Sequence, residues 1–209
     1  MHLVLASENP HKAEEIASIL YSRKWSEHQK ASLDIRLESL TAYPGLKLPP
    51  EIGATYSENA AAKARTVAKK TGHWAMGDDS GLEVRALDGA PGLHSARYAG
   101  KNPSYADNIN KLLAAMKDVP EGQRQARFIC TLALASPEGE VSIVEGICEG
   151  EITASQSGRE GFGYDPIFYY PPAKKTFAEL TAAEKNAISH RGRALKAAIA
   201  FLKSKSKID

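Results

Sequence analysis

Met76-Gly77-Asp78-Asp79-Ser80-Gly81-Leu82-Glu83-Val84 is the stretch on which the reading of this chain turns. Trp74, Ala75 and Met76 run into two adjacent acids, and Leu82, Val84 and Ala86 alternate beyond Ser80-Gly81. The pattern predicts a strand, a tight turn at Ser80-Gly81 and a second short strand, with the acids at the end of the first. Successive strand residues point to opposite faces. Asp78 and Asp79 therefore cannot serve one ligand together unless the strand ends or bulges there, and one of them works while the other supports. A carboxylate at a strand terminus suits Mg²⁺, which takes one or two protein carboxylates and completes its shell with water and substrate phosphate. The same four residues also suit an ordinary turn, because Asp and Ser cap and turn well.

The surrounding chain of 209 residues is long enough for one substantial core or for two lobes. Its 43% hydrophobic and 25% charged residues describe an ordinary globular protein. The longest apolar runs, such as Ile129 to Ala135, are too short to span a bilayer, and Met1 to Ala6 lacks the basic flank and length of a signal peptide. The expectation is a cytosolic protein with no membrane partner. A net charge of +2 gives no reason to propose stable nucleic-acid binding. Lys203, Lys205 and Lys207 read as a solvated helix end. Cys130 and Cys148 lack metal-ligand spacing and read as buried free thiols.

His2 to Ala6 followed by Ser7-Glu8-Asn9-Pro10-His11-Lys12 reads as strand, polar turn and helix, with Asn9 or Ser7 capping and Pro10 early in the helix. Free N–H groups at such a start favour an anion. Lys12, a cation placed where the helix dipole disfavours one, adds to that reading, although a solvated Lys fits as well. Ser22 to Ser32 is polar and reads as a surface elaboration before a second strand through Leu33, Ile35 and Leu37. Tyr56 to Lys70 reads as an alanine-rich helix on which Asn59 and Lys63, four apart, share a face. A Lys on its inward edge reaches phosphate; an outward one is solvated.

Leu87 to Gly100 reads as a long loop, and Pro103 to Lys117 as a helix burying Ile109, Leu112, Leu113 and Met116. Ala126 to Ala135 and Glu140 to Ile152 read as a hairpin turned by Pro137-Glu138-Gly139. In Gly161-Phe162-Gly163-Tyr164-Asp165-Pro166, glycines flanking an aromatic let the backbone approach a flat ligand on which Phe162 stacks, or form a turn packed on the core. Leu180 to Lys185 reads as a capped helical turn and Ile188 to Lys203 as the last helix, opening with His190, Arg191 and Arg193. Carboxylates for Mg²⁺, cations near helix starts, a Gly-rich aromatic loop and a His-Arg pair together suit phosphate-ester chemistry on a nucleotide. A P-loop is absent from the sequence.

Ser7-x-Asn9-x-x-Lys12, Glu58-Asn59-Ala60 with Lys63, Asp78-Asp79-Ser80-Gly81-Leu82, Gly89-Ala90-Pro91-Gly92 with Ser95-Ala96-Arg97-Tyr98, Gly161 to Pro166 and Ser189-His190-Arg191-Gly192 occur in one order along the chain. Together they resemble the inosine triphosphate pyrophosphatase family, from first strand to last helix. The resemblance implies an α/β fold with a long twisted mixed sheet flanked by helices. It also implies a single domain over 1–209 made of two lobes with a central active-site cleft, generally a homodimer. It implies hydrolysis of ITP, dITP and XTP, non-standard purine nucleoside triphosphates, to the monophosphate and pyrophosphate with Mg²⁺.

Carried over by position, Asp79 resembles the catalytic acid, as general base, metal ligand or both, and Glu51 an acidic metal ligand. Ser80 contacts substrate beside Asp79. Ser7, Glu8, Asn9, Pro10, His11 and Lys12 resemble the triphosphate turn, and Lys63 a further phosphate contact with a catalytic role alongside Lys12. Phe162, Gly163, Tyr164, Asp165, Lys185, His190 and Arg191 resemble the base pocket. An Arg191 that only donates and an ionised Asp165 that only accepts would suit the 6-keto and N1–H edge of hypoxanthine or xanthine and mismatch adenine. Glu8 stands where many members carry Gly, its side chain expected to point away, and Ser7 stands where Thr is commoner. Two other readings remain open: a pyrophosphatase for modified pyrimidine nucleotides, and a non-catalytic nucleotide sensor.

Overall fold

The structure is a computed structural model and describes residues 1–21 and 35–205. The expectations for Ser22 to Ser32, for Leu33 and for Lys207 fall outside the described residues. A seven-stranded sheet organises the chain. Its strands are β1 (His2–Ala6), β2 (Arg36–Ser39), β3 (Trp74–Val84), β4 (Gln125–Ala135), β5 (Val141–Ile152), β6 (Phe168–Tyr170) and β7 (Lys175–Thr176), in the order β2-β1-β3-β4-β5-β6-β7. β1 pairs parallel with both β2 and β3, whereas β5-β6 and β6-β7 are antiparallel, so the sheet is mixed. The helices are α1 (Pro10–Leu20), α2 (Tyr56–Thr71), α3 (Tyr105–Ala115), α4 (Ala182–Ile188) and α5 (His190–Lys205). The fold is α/β, as the resemblance implied.

The opening stretch departs from the sequence expectation. β3 runs unbroken from Trp74 to Val84, and Ser80-Gly81 lies inside it rather than at a turn. Gly81 is absent from the residues with positive φ that a tight Gly turn uses. Nearly every position of β3 is buried, which favours a central strand over a hairpin whose faces meet water. The hairpin of β4 and β5 is where the sequence put it, closed by Ser136 N–H donating to Glu140 O at 2.9 Å. The loop from Leu87 to Gly100 carries short 3-10 turns and a cis Ala90-Pro91 peptide.

The chain divides into two compact units. Residues 1–79, 130–146 and 191–209 form the first. Alternation along its strands feeds two separate cores. Leu3, Leu5, Met76, Leu132 and Leu134 pack with Ile16 and Ile19 of α1 and with Leu195, Ile199 and Leu202 of α5. Val4, Ala6, Ala75, Ala133 and Ala135 pack with Ala60, Ala64, Val67 and Ala68 of α2. Period-2 strands thus carry bulky side chains to one face and small ones to the other, and the small face lets an alanine-rich helix lie close.

The second unit, residues 80–129 and 147–190, has its own core of Leu82, Val84, Ile109, Leu112, Met116, Phe128, Ile152, Ile167, Phe168 and Phe177. α3 is set by a capping box between Ser104 and Asp107, and α4 by one between Thr181 and Glu184, which confirms the capped turn read from sequence. Cys130 and Cys148 are buried thiols, not joined in a disulfide.

Candidate active site

The parity of β3 sorts the two acids. Ala75, Gly77 and Asp79 face α2, while Met76 and Asp78 face α1 and α5. Because the strand continues through both acids, they serve different faces, as the side-chain alternation demanded.

Gly77 controls the α2 side. A Cβ there would lie 2.1 Å from Ala60 O, so only a bare Cα admits the helix backbone. That approach brings Asn59 and Lys63, both buried, onto Asp79. Asn59 Nδ2 donates to Asp79 Oδ2 at 3.0 Å, and Asn59 Oδ1 accepts from Gly53 N–H at 2.8 Å. Lys63 Nζ donates to Glu51 Oε1 at 2.7 Å and to Asp78 O at 2.5 Å, and lies 3.5 Å from Asp79 Oδ1. Burial pushes the Asp79 carboxyl above its ordinary range and Glu51 adds to this, against the pull of Lys63 and Asn59. Burial opposes the charge on Lys63, yet Asp79 and Glu51 outweigh it and raise its pKa.

Asp79 and Glu51 both reach the one Lys63 ammonium. Two hard carboxylate donors converging on a shared cation form a donor set that fits Mg²⁺, with the other positions left to water and phosphate. Among the described residues no cluster of three or more His, Cys, Asp or Glu could hold a metal by itself. Such a site would complete its shell with water and phosphate oxygens.

On the other face Asp78 is 1% exposed and sits at the centre of a charge cluster. The Lys12 ammonium contacts its Oδ1, Arg191 Nε donates to its Oδ2 at 3.0 Å, and the Cys130 thiol lies 3.5 Å from Oδ2. Arg191 also donates to Glu15. Burial opposes ionisation of Asp78, but Lys12 and Arg191 overcome it and hold the carboxyl well below the usual range. The arrangement gives Arg191 partners that the sequence did not show. Its guanidinium, read beside Asp165 at a base edge, is 2% exposed and is shared between Asp78 and Glu15.

The head of α1 also differs in detail. Asn9 caps the helix, its Oδ1 accepting from His11 N–H at 3.0 Å and Lys12 N–H at 3.3 Å, while Ala13 N–H donates to Asn9 O. Pro10 has no N–H to give. The amides read as an anion site are thus held by the cap, and positive charge at this turn comes from the Lys12 side chain. Ser7 Oγ accepts from Asn9 N–H at 3.2 Å, and Glu8, Pro10 and His11 are exposed.

The second unit gathers most of the residues carried to the base pocket. Asp165 Oδ2 accepts from Phe162 N–H at 2.8 Å and from Lys185 Nζ at 2.6 Å. Gly161, at φ +75°, clears Asp165, whose Oδ2 would be 2.1 Å from a Cβ there. Lys185 Nζ stands 4.9 Å from the centre of the half-buried Phe162 ring. Gly163 also has positive φ and belongs to the same turn. Tyr164 is a core residue whose hydroxyl donates to Ser95 O at 2.9 Å, its pKa pushed up by burial and by Tyr98. His190 is buried and stacks on Phe128 with ring centres 4.6 Å apart. Ser80 follows Asp79 along β3 and is half-buried. Asn59 was singled out in the sequence beside Lys63 but given no role, and Glu15 and Cys130 were not among the site candidates. Asn59 and Glu15 had a signal in their spacing from Lys63 and Lys12; Cys130 had none.

Residues 3–201 match the model of the Ham1 family. The chain belongs to the Ham1 family. It is 45% identical over 202 residues to a dITP/XTP pyrophosphatase of Desulforamulus reducens, covering 97% of this chain and 96% of that protein. Among solved structures, a Ham1 protein from Coxiella burnetii superposes with a TM-score of 0.83 at 41% identity, covering 98% of this chain and 99% of that one. The Ham1 protein of Staphylococcus aureus superposes at 0.80 with 36% identity, covering 98% and 100%. Ham1 membership agrees with the inosine triphosphate pyrophosphatase resemblance of the motifs. No helix among the described residues of this Ham1 protein is long and apolar enough to cross a membrane.

Proposed function

We propose that this Ham1 protein hydrolyses ITP, dITP and XTP to the nucleoside monophosphate and pyrophosphate, using Mg²⁺, as a cytoplasmic homodimer. The observation that carries the reading is the convergence of Asp79 and Glu51 on the Lys63 ammonium. The dITP/XTP pyrophosphatase name of its relatives supports the substrate class. The homodimer and the cytoplasmic setting rest on the family resemblance.

In this reading Asp79 is the general base. Its burial and its carboxylate neighbour raise its proton affinity, and Asn59 holds Oδ2, so that Oδ1 is the oxygen turned to the Lys63 side. A water gives its proton to Asp79 as its oxygen bonds to phosphorus, and the anhydride bond between α- and β-phosphoryl groups breaks with pyrophosphate taking the electron pair. Lys63 and Lys12 supply positive charge to the polyphosphate. Mg²⁺ held by Asp79 and Glu51 would polarise the phosphoryl oxygens and neutralise their charge.

The base is assigned to the second unit. Phe162 offers a ring face, Asp165 only accepts and Lys185 only donates. That pair keeps the polarity first read from Asp165 and Arg191, a donor for the 6-keto group and an acceptor for N1–H, and mismatches adenine. The test is pyrophosphate release from ITP, XTP, GTP and ATP with Mg²⁺, for the wild type and Asp79→Asn. Fast cleavage of ITP and XTP that Asp79→Asn abolishes is the expected result. Equal rates on all four, or an active Asp79→Asn, would overturn it.

A further inference from the structure

Asp78 meets the α2 face through its backbone oxygen, which accepts from Lys63, while its side chain gathers charge on the opposite face. Its carboxylate receives Lys12 on Oδ1 and both Arg191 Nε and the Cys130 thiol on Oδ2. The two cations come from segments far apart in sequence, α1 and the start of α5, and meet at this carboxylate. Glu15, three residues after Lys12 on α1, closes the cluster by contacting Arg191. Two cations and two anions cancel, which is what a buried cluster requires.

The members are not equally accessible. The Asp78 side chain is 0% exposed, whereas Lys12 is 17% exposed. A polyanion arriving from solvent meets the Lys12 ammonium and not the carboxylate behind it. From that carboxylate it feels repulsion, and it competes with it for the same cation. An anion so placed weakens binding of the substrate's phosphates. Its retention in the site makes sense if it fixes where the cations stand when the reaction occurs, since a group that only improves alignment raises turnover at the expense of ground-state affinity.

We propose that Asp78 is a positioning residue: it holds the Lys12 ammonium and the Arg191 guanidinium in one arrangement and yields Lys12 to the polyphosphate of the substrate. The inference rests on the reading that Lys12 contacts phosphate. It predicts opposite movements of binding and turnover, which a residue that merely supported the fold would not produce.

The experiment uses the full chain and two readouts, calorimetric titration with inorganic tripolyphosphate and steady-state cleavage of ITP. Asp78→Asn is expected to bind tripolyphosphate about threefold or more tightly than wild type while kcat on ITP falls about tenfold or more. Adding Lys12→Met to Asp78→Asn is expected to remove the gain in binding. Asp78→Glu keeps the charge but displaces it by one methylene; its kcat is expected to fall about tenfold while its tripolyphosphate affinity stays within about twofold of wild type. Unchanged or weaker tripolyphosphate binding by Asp78→Asn overturns the proposal, as does wild-type kcat in Asp78→Glu. If Asp78→Asn does not fold, Asp78→Glu decides alone by its kcat. A wild type that binds tripolyphosphate but leaves ITP intact refutes the proposed activity and leaves the binding comparison to judge Asp78.

Discussion

Asn59 Nδ2 donates to Asp79 Oδ2 across 3.0 Å of buried interior, linking α2 directly to the acid of β3. Asn59 cannot swing away, because its other amide atom accepts from Gly53 N–H. Asn59→Ala leaves the Asp79 oxygen and the Gly53 amide without these partners, at a cost of about 1–3 kcal/mol. Removing a bond that lowers the Asp79 pKa raises it further, so the acid limb of kcat/KM moves to higher pH. Thermal melts and a pH-rate profile of Asn59→Ala would show both effects. An unmoved acid limb would remove Asn59 from the account.

Asp79→Asn is expected to lose about a hundredfold or more of kcat, the usual contribution of a general base. It is also expected to be more stable than wild type at neutral pH. The sign follows from the raised pKa: the folded state binds the Asp79 proton more tightly than the unfolded chain, so stability falls as pH rises from the ordinary value of 3.8 through the folded pKa. The Asn variant escapes that penalty. Its advantage in Tm should be largest above the folded pKa of Asp79 and vanish below about 3.8. A mutant that is inactive and less stable at pH 7 would mean that Lys63 depends on Asp79 more than burial penalises it.

Lys63→Met takes away the cation that Glu51 and Asp79 share. Turnover should fall and the protein should lose stability, since the facing carboxylates then repel. Mg²⁺ should restore more stability to this variant than it adds to wild type, because both donors are left to the metal. Melting curves with and without Mg²⁺ check this, and an equal shift in both proteins would place the metal elsewhere.

Lys185→Met leaves Asp165 buried with its charge unpaired by the ammonium 2.6 Å away, at a cost of about 3–5 kcal/mol. Lys185→Met combined with Asp165→Asn should recover most of that stability but not the KM for ITP. Recovery of both would make the pair structural only.

Gly77→Ala forces a methyl against Ala60 O and should cost about 1–3 kcal/mol or more as α2 is driven from the strand. Because Asn59 and Lys63 ride on α2, kcat should fall by more than the loss of folded protein explains. Activity per folded molecule, taken from a denaturant titration, is the measurement.

Much of this was legible in the sequence, and the failures have definite causes. The Asn59 and Lys63 face was visible because helical neighbours are local. So were the cap of α1, read as Asn9 or Ser7 and found to be Asn9, and the capped turn at Leu180 to Lys185. The turn at Ser80-Gly81 was misread because a Gly beside polar residues looks the same in a buried strand as in a hairpin; only the flanking strands β1 and β4 decide it. The ion pairs of Arg191 were hidden because its partners Asp78 and Glu15 lie 113 and 176 residues away. The pairing of Lys185 with Asp165, 20 residues apart, was hidden for the same reason.

The two cysteines give the molecule a pair of internal clocks. Cys130 belongs to the first unit and Cys148 to the second, and both are 0% exposed. A thiol reagent can reach each only when its own surroundings open, so the rate at which each sulfur is labelled times the opening of its unit. Two labelling rates that coincide would mean that both units open in a single event. Two that differ would rank which unit opens first, with no cysteine having to be engineered into the chain.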